Sequence, residues 1–182
     1  VSALLFVPGL PPASIWPPVL VSFAPLYLAI ERQTPGRSLL IGWVSGTLAT
    51  FAGFFWLVET LRKFGELPLP AAVAVLALLS AYNGARLGLA CWLSGRAAAR
   101  GWPEAPAFAL AFLTSELLYP LVFPWYIATA ADHALPLLQP AELGGPLAVD
   151  LLLLVPSLVA GGALRSLRAG RRPSAPLLVL GL

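Results

Sequence analysis

Methionine is absent from this chain, and cysteine and histidine each occur once. A single cysteine, Cys91, excludes an internal disulfide framework or a thiolate metal cluster. A single histidine, His133, excludes a site built from several imidazoles. No metal and no cofactor is expected. Charge is scarce as well: Asp, Glu, Lys and Arg make up 10% of the 182 residues, where a soluble domain carries about a quarter. There is no phosphate-binding loop, no zinc motif and no Ser-His-Asp order, so no catalytic residue is assigned within the chain. The net charge is +3. The arginines lie in short turns between apolar runs, where membrane topology accounts for them and nucleic acid is not an expected partner.

What the chain has in quantity is apolar sequence, 59% of it. Runs of about 17 to 25 residues with few charges are the length that crosses a bilayer as helix. The expected fold is all-α, a polytopic membrane helical bundle with about six full transmembrane helices plus a truncated seventh. The segments run Val1 to Leu10, Ile15 to Ile30, Ser38 to Leu61, Ala71 to Leu93, Ala105 to Tyr126 and Gly145 to Leu164, with a seventh beginning near Pro176. Pro11, Pro12, Pro17 and Pro18 separate the first two. Residues 128–144 are expected to be a longer connection. The chain begins and ends inside apolar runs, and Val1 to Leu10 has no basic leader of the signal-peptide kind. It is therefore expected to be one domain, residues 1–182, of a longer protein.

Lysine and arginine divide unevenly between the two sets of turns. The turns after the second, fourth and sixth segments hold Arg32, Arg37, Arg96, Arg100, Arg165, Arg168, Arg171 and Arg172; the others hold Arg62 and Lys63. Positively charged turns stay in the cytoplasm. The N-terminus is then cytoplasmic, and the seventh helix exits to the outer face.

Charges inside the apolar runs cost a few kcal/mol each and need partners. Arg86 and Glu116 fall near the middle of the fourth and fifth segments. They read either as a polar site facing a cavity or as an ion pair clamping two helices. Glu59 and Asp150 lie near segment ends, where interfacial solvation is expected. Cys91 has no histidine or carboxylate within a turn, so packing is expected rather than a reactive thiolate. His133, beside Asp132 in the long connection, is expected to be solvated. Trp16, Trp56, Phe64, Trp102, Phe123, Trp125 and Tyr126 cluster at segment ends, as interfacial belts do. The small residues of "GWVSGTLATFAG" permit close helix approach.

These motifs resemble those of the apolipoprotein N-acyltransferase family. "WLVETLRKFGELP" supplies Trp56, Thr60, Phe64, Gly65 and Pro68 at the family's spacing. "LPPASIWP" is similar to the first outer turn, with Pro12, Trp16 and Pro17. "FPW", Phe123, Pro124 and Trp125, followed by Tyr126, matches the Phe-Pro-Trp after the fifth helix. "AELGGPLAVDLLL" is similar to the segment leading into the sixth.

The resemblance implies a multi-pass protein of the bacterial inner membrane. A nitrilase-like domain would follow residue 182 on the periplasmic face and carry a Glu-Lys-Cys triad. The triad would take an acyl chain from phospholipid and pass it to the amine of a diacylglyceryl-cysteine lipoprotein. The present chain would anchor that domain and help form a lipid-accessible cavity. The implied partners are the phospholipid donor, the lipoprotein acceptor, membrane lipids and the catalytic domain in cis. Two departures stand out: Glu116 is followed by Tyr119 and Pro120 where many members have Arg-Gly, and Arg86 stands where an aromatic is common. Two other functions are open to such a chain, a small transporter using Arg86 and Glu116 or a non-catalytic membrane scaffold.

Overall fold

The computed structural model describes residues 1–11, 13–122, 125–168 and 170. Every regular element among them is helical. The α-helices are α1 (Ser2–Phe6), α2 (Ala24–Ile30), α3 (Pro35–Gly53), α4 (Trp56–Phe64), α5 (Leu69–Ala98), α6 (Glu104–Leu118), α7 (Leu135–Leu138) and α8 (Ala141–Arg168), with 3-10 turns at Val7–Gly9, Pro17–Val21 and Ile127–Ala131. By length and composition α5 and α8 can each cross a membrane alone. The pair α3 and α4, bent by 59°, makes a third crossing if taken as one span. The described residues are thus all-helical, with two or three candidate membrane spans against the six expected. The expected seventh helix lies outside the described residues.

Prolines and glycines explain where the helices depart from the apolar segments. The second segment is not one helix. Pro25 lacks an amide hydrogen and crowds the carbonyl four residues back, so a 3-10 turn ends at Val21 and α2 begins at Ala24. The backbone groups freed at this break find a partner far away in sequence. Ser157 Oγ of α8 accepts from Phe23 N at 3.2 Å and donates to Leu20 O at 2.9 Å. Ser157→Ala strands both groups and is expected to cost about 1–3 kcal/mol. Denaturant unfolding in detergent measures it; an unchanged midpoint means that Ser157 is dispensable.

The third segment bends after Gly53. The Leu10 side chain occupies the space a Cβ at Gly53 would need, and Phe54 leaves the helical region at φ −105°, ψ 20°. The fifth segment was expected to run to Tyr126 but stops at Leu118. Tyr119 precedes Pro120 and is extended, φ −75°, ψ 123°, as the steric conflict with a following proline ring requires. α8 is interrupted at Gly144 and Gly145. The latter sits at φ 65°, ψ −165°, a conformation essentially confined to glycine.

α3 and α5 pack along small residues. A Cβ on Gly46 would lie 2.9 Å from Gly84 Cα, and one on Gly88 would lie 3.0 Å from Leu39 O. The two backbones are in contact, as the small-residue stretch of α3 anticipates. Trp43 Nε1 donates to Ala81 O at 2.8 Å across the same seam. The main core is aromatic: Phe6, Phe23, Tyr27, Phe108 and Phe112 are buried together with Leu153, Leu154 and Leu158 of α8.

The arginine-bearing turns converge. Glu31, Arg32, Pro35, Ala98, Ala99 and Glu104 line one cavity of about 260 Å³, and Arg165 pairs with Glu104 at the same end. The turns grouped by charge in the sequence therefore share one end of the bundle. Arg171 and Arg172 lie outside the described residues.

Candidate functional site: a non-helical segment pinned inside the bundle

Residues 119–134 were expected to finish one helix and begin a surface connection. Instead residues 125–134 fold back into the helices. Ile127, Ala130, Ala131 and Ala134 are buried in the main core. Short side chains make this possible, because a backbone without bulk can pack against Val149 and Leu153. Buried backbone outside α-helices must find internal hydrogen-bond partners, and buried polar side chains provide several of them.

Arg86 of α5 is the centre of the arrangement. Its Nη1 donates to Glu116 Oε2 of α6 at 2.9 Å, with both side chains buried. The same nitrogen donates to Trp125 O at 3.3 Å. The guanidinium carbon lies 4.8 Å from the centre of the Trp125 ring, within cation–π range. One buried cation thus holds a carboxylate, a carbonyl and an indole face.

Asp150 makes the second anchor and corrects the expectation of interfacial solvation. It is wholly buried, and its Oδ1 accepts from Ala128 N at 2.7 Å. The fold-back of residues 127–131 covers it, a tertiary event that no local pattern announces. Two tyrosines fasten the α6 end. Tyr82 OH donates to Pro120 O, and Tyr119 OH donates to Tyr82 O at 2.7 Å, with their rings 5.3 Å apart.

Beyond the buried anchors, Ser14 Oγ donates to Asp132 Oδ2 at 3.1 Å, and His133 Nδ1 lies 2.8 Å from Asp132 Oδ1. His133 is exposed, as expected. The hydrogen bond with His133, then that from Ser14, holds the Asp132 carboxyl below the usual carboxylate range. A carboxylate whose folded pKa is lowered stabilises the fold above its unfolded pKa, and that stability is lost as pH falls through the folded value. Ser14→Ala should therefore lower the melting temperature at neutral pH, and the difference from the parent should close below about pH 4. A pH series of melts tests this; a constant gap would show that Asp132 ionisation is irrelevant to the link.

The aromatic residues form a connected path rather than separate anchors. Phe54 lies 5.3 Å from Trp125 and 6.1 Å from Trp56, and Phe6 lies 6.4 Å from Trp125. Trp125 is half-buried over Arg86, not free at a surface. Tyr126 is half-buried beside it. Trp56, Phe64, Gly65 and Pro68 are exposed on and after α4, and Thr60 Oγ1 donates to Trp56 O at 3.4 Å. Glu59 is exposed and pairs with Arg62 and Lys63. Trp16 and Pro17 open the second 3-10 turn, and Trp16 packs against the main core. Pro12, Phe123 and Pro124 lie outside the described residues. Cys91 is buried against α3, where a Cβ on Gly42 would lie 2.6 Å from its Sγ. Among the described residues no group of three or more potential ligands could hold a metal ion.

Residues 2–159 match the family model described as the apolipoprotein N-acyltransferase N-terminal domain. The chain is similar to the apolipoprotein N-acyltransferase of Geobacter metallireducens, 29% identical over 95% of this chain and 34% of the relative. It is also similar to those of Vibrio parahaemolyticus, 31% over 84% and 30%, and Azotobacter vinelandii, 33% over 91% and 33%. The chain spans about a third of the length of these curated relatives.

Proposed function

This chain belongs to the apolipoprotein N-acyltransferase family, through its N-terminal domain, and from that premise we propose that it is the membrane domain of a lipoprotein N-acyltransferase. The full enzyme would move an acyl chain from phospholipid to the N-terminal amine of diacylglyceryl-cysteine lipoproteins. The observation that carries this is the family match over residues 2–159. Catalysis would belong to a nitrilase-like domain following residue 182. Its cysteine thiolate would accept the acyl group as a thioester and release it to the lipoprotein amine. Cys91, buried in α5, takes no part.

The membrane half anchors that domain and shapes the lipid-side rim beneath it. The basic end of the bundle faces the cytoplasm by the distribution of arginine, in an inner membrane crossed about six times, with a seventh helix leading to the periplasm. The opposite end carries Trp56, Thr60, Phe64, Gly65 and Pro68 after the bend of α3, together with Trp125 and Tyr126. Phe123 and Pro124 are assigned to the same rim from the sequence. The exposed aromatics suit contact with lipid at the level of the headgroups. Arg86, Glu116 and Asp150 act one step behind the rim by fixing the backbone at Trp125 and Ala128, so they are positioning residues.

Expression of the full-length gene in a strain depleted of its own N-acyltransferase tests the proposal. Mass spectrometry of lipoprotein N-termini should show the added acyl chain. A full-length, membrane-inserted product that leaves those amines free would overturn it. Trp56→Ala, at an exposed position, should lower acylation while leaving the melting temperature within the scatter of surface substitutions.

A further inference from the structure

A cavity of about 50 Å³ lies beside the Arg86–Glu116 pair, between α1, α2, α3, α5 and α6. Phe23 and Phe112 form part of its wall. Among its polar lining residues are Ser2, Asn83 and Trp125. Their Oγ, Oδ1 and Nε1 atoms are buried and have no hydrogen-bond partner among the described residues. Asn83 is 6% exposed. A buried polar atom in a native structure has a partner in nearly every case, either protein or ordered water. These three orphans share one space, which itself adjoins a buried ion pair.

The chemistry of the lining selects the occupant. Trp125 offers a donor, Asn83 Oδ1 an acceptor, and the Ser2 hydroxyl either. An anion drawn by Arg86 would meet Glu116 and the Asn83 oxygen. A cation drawn by Glu116 would meet Arg86. A small molecule that both donates and accepts satisfies all three groups without opposing either charge.

We propose that this cavity is a built hydration site within the membrane-embedded bundle. Its volume exceeds the roughly 10–15 Å³ that a single water molecule requires. Bound water bridges Ser2, Asn83 and Trp125 and solvates the side of the Arg86–Glu116 pair turned away from the protein bonds. The site is distinct from the rim proposed for lipid, and it does not depend on the acyltransferase assignment.

Radiolytic hydroxyl labelling of the full-length protein in nanodiscs, read by mass spectrometry, tests it, because bound water generates radicals in place. Phe112 and Phe108 are both buried, but only Phe112 lines the cavity. Phe112 should be oxidised several-fold faster than Phe108. Asn83→Leu removes an orphan and fills the space. Ala49→Leu fills it from α3 without touching a polar group. In variants that keep the parental melting transition, both should bring Phe112 down to the rate of Phe108. Equal rates for Phe112 and Phe108 in the parent would show the cavity to be dry. Undiminished Phe112 labelling in both filled variants would place the water elsewhere; either result overturns the proposal. The readout contains no acylation step, so its failure and that of the enzymatic assignment are separately visible.

Discussion

Arg86→Ala is expected to destabilise the bundle by about 3–5 kcal/mol, the usual penalty for leaving one partner of a buried pair alone. Glu116 would then be a carboxylate in an apolar interior, without the 2.9 Å bond that now compensates its burial. The damage should extend beyond the pair. Trp125 O loses its donor and the indole loses the cation above it, so the 125–134 backbone loses one of its anchors. Hydrogen exchange of residues 127–131 should rise in the variant, although Arg86 bonds to Glu116 and Trp125 and not to them. Glu116→Ala is expected to cost less, because the guanidinium keeps the Trp125 carbonyl and ring. The double variant removes both charges, and its loss should be smaller than the sum of the single losses. Unfolding of all four proteins in mixed micelles closes the cycle. Additivity within about 0.5 kcal/mol would mean that the two residues do not act as a pair.

The same residues show what could be read before the structure was known. Arg86 and Glu116 were conspicuous because each is a lone charge inside an apolar run, and such charges demand partners at any depth. The α3–α5 seam was legible because close approach of two backbones leaves a direct trace, glycine and other small residues at helical spacing. The end of α6 was missed, although the rule that a residue before proline avoids the helical region points to it. The apolar content of "LLYPLVFPWY" argued for a longer helix, and the proline prevailed at Leu118. Asp150 was different. Its burial depends on residues 127–131 turning back over it, a contact spanning 22 positions. The only local hints were the run of short side chains at Ala128, Ala130, Ala131 and Ala134 and the Gly144–Gly145 break that frees α8 to turn. Periodicity treats such a stretch as a loop, because it carries neither a helical stripe nor alternation. The site is thus half written in charges, which are conspicuous singly, and half in tertiary backbone packing, which is not.

Gly84→Leu should be the most damaging change along the helix seam. A Cβ at that position would stand 2.5 Å from Thr47 N and 2.8 Å from Trp43 O. Both are backbone atoms of α3, and neither can swing aside as a side-chain tip would. The helices must therefore separate, which breaks the Trp43–Ala81 bond and opens the Gly46–Gly84 contact. Overpacking of a tight interior costs about 1–3 kcal/mol, and a rigid backbone neighbour sets this case at the upper end. Because α5 also carries Tyr82, Asn83 and Arg86, any shift of its axis moves the anchors of Tyr119, Pro120 and Trp125. Stability and acylation by the full-length enzyme should fall together. Gly162→Ala supplies the comparison: it lies in α8 with nothing within 4 Å of the added atom, and helix propensity favours alanine over glycine by about 1 kcal/mol. Its melting temperature should match or exceed the parent's. A Gly84→Leu protein that melts like the parent would show that α3 and α5 do not meet backbone to backbone.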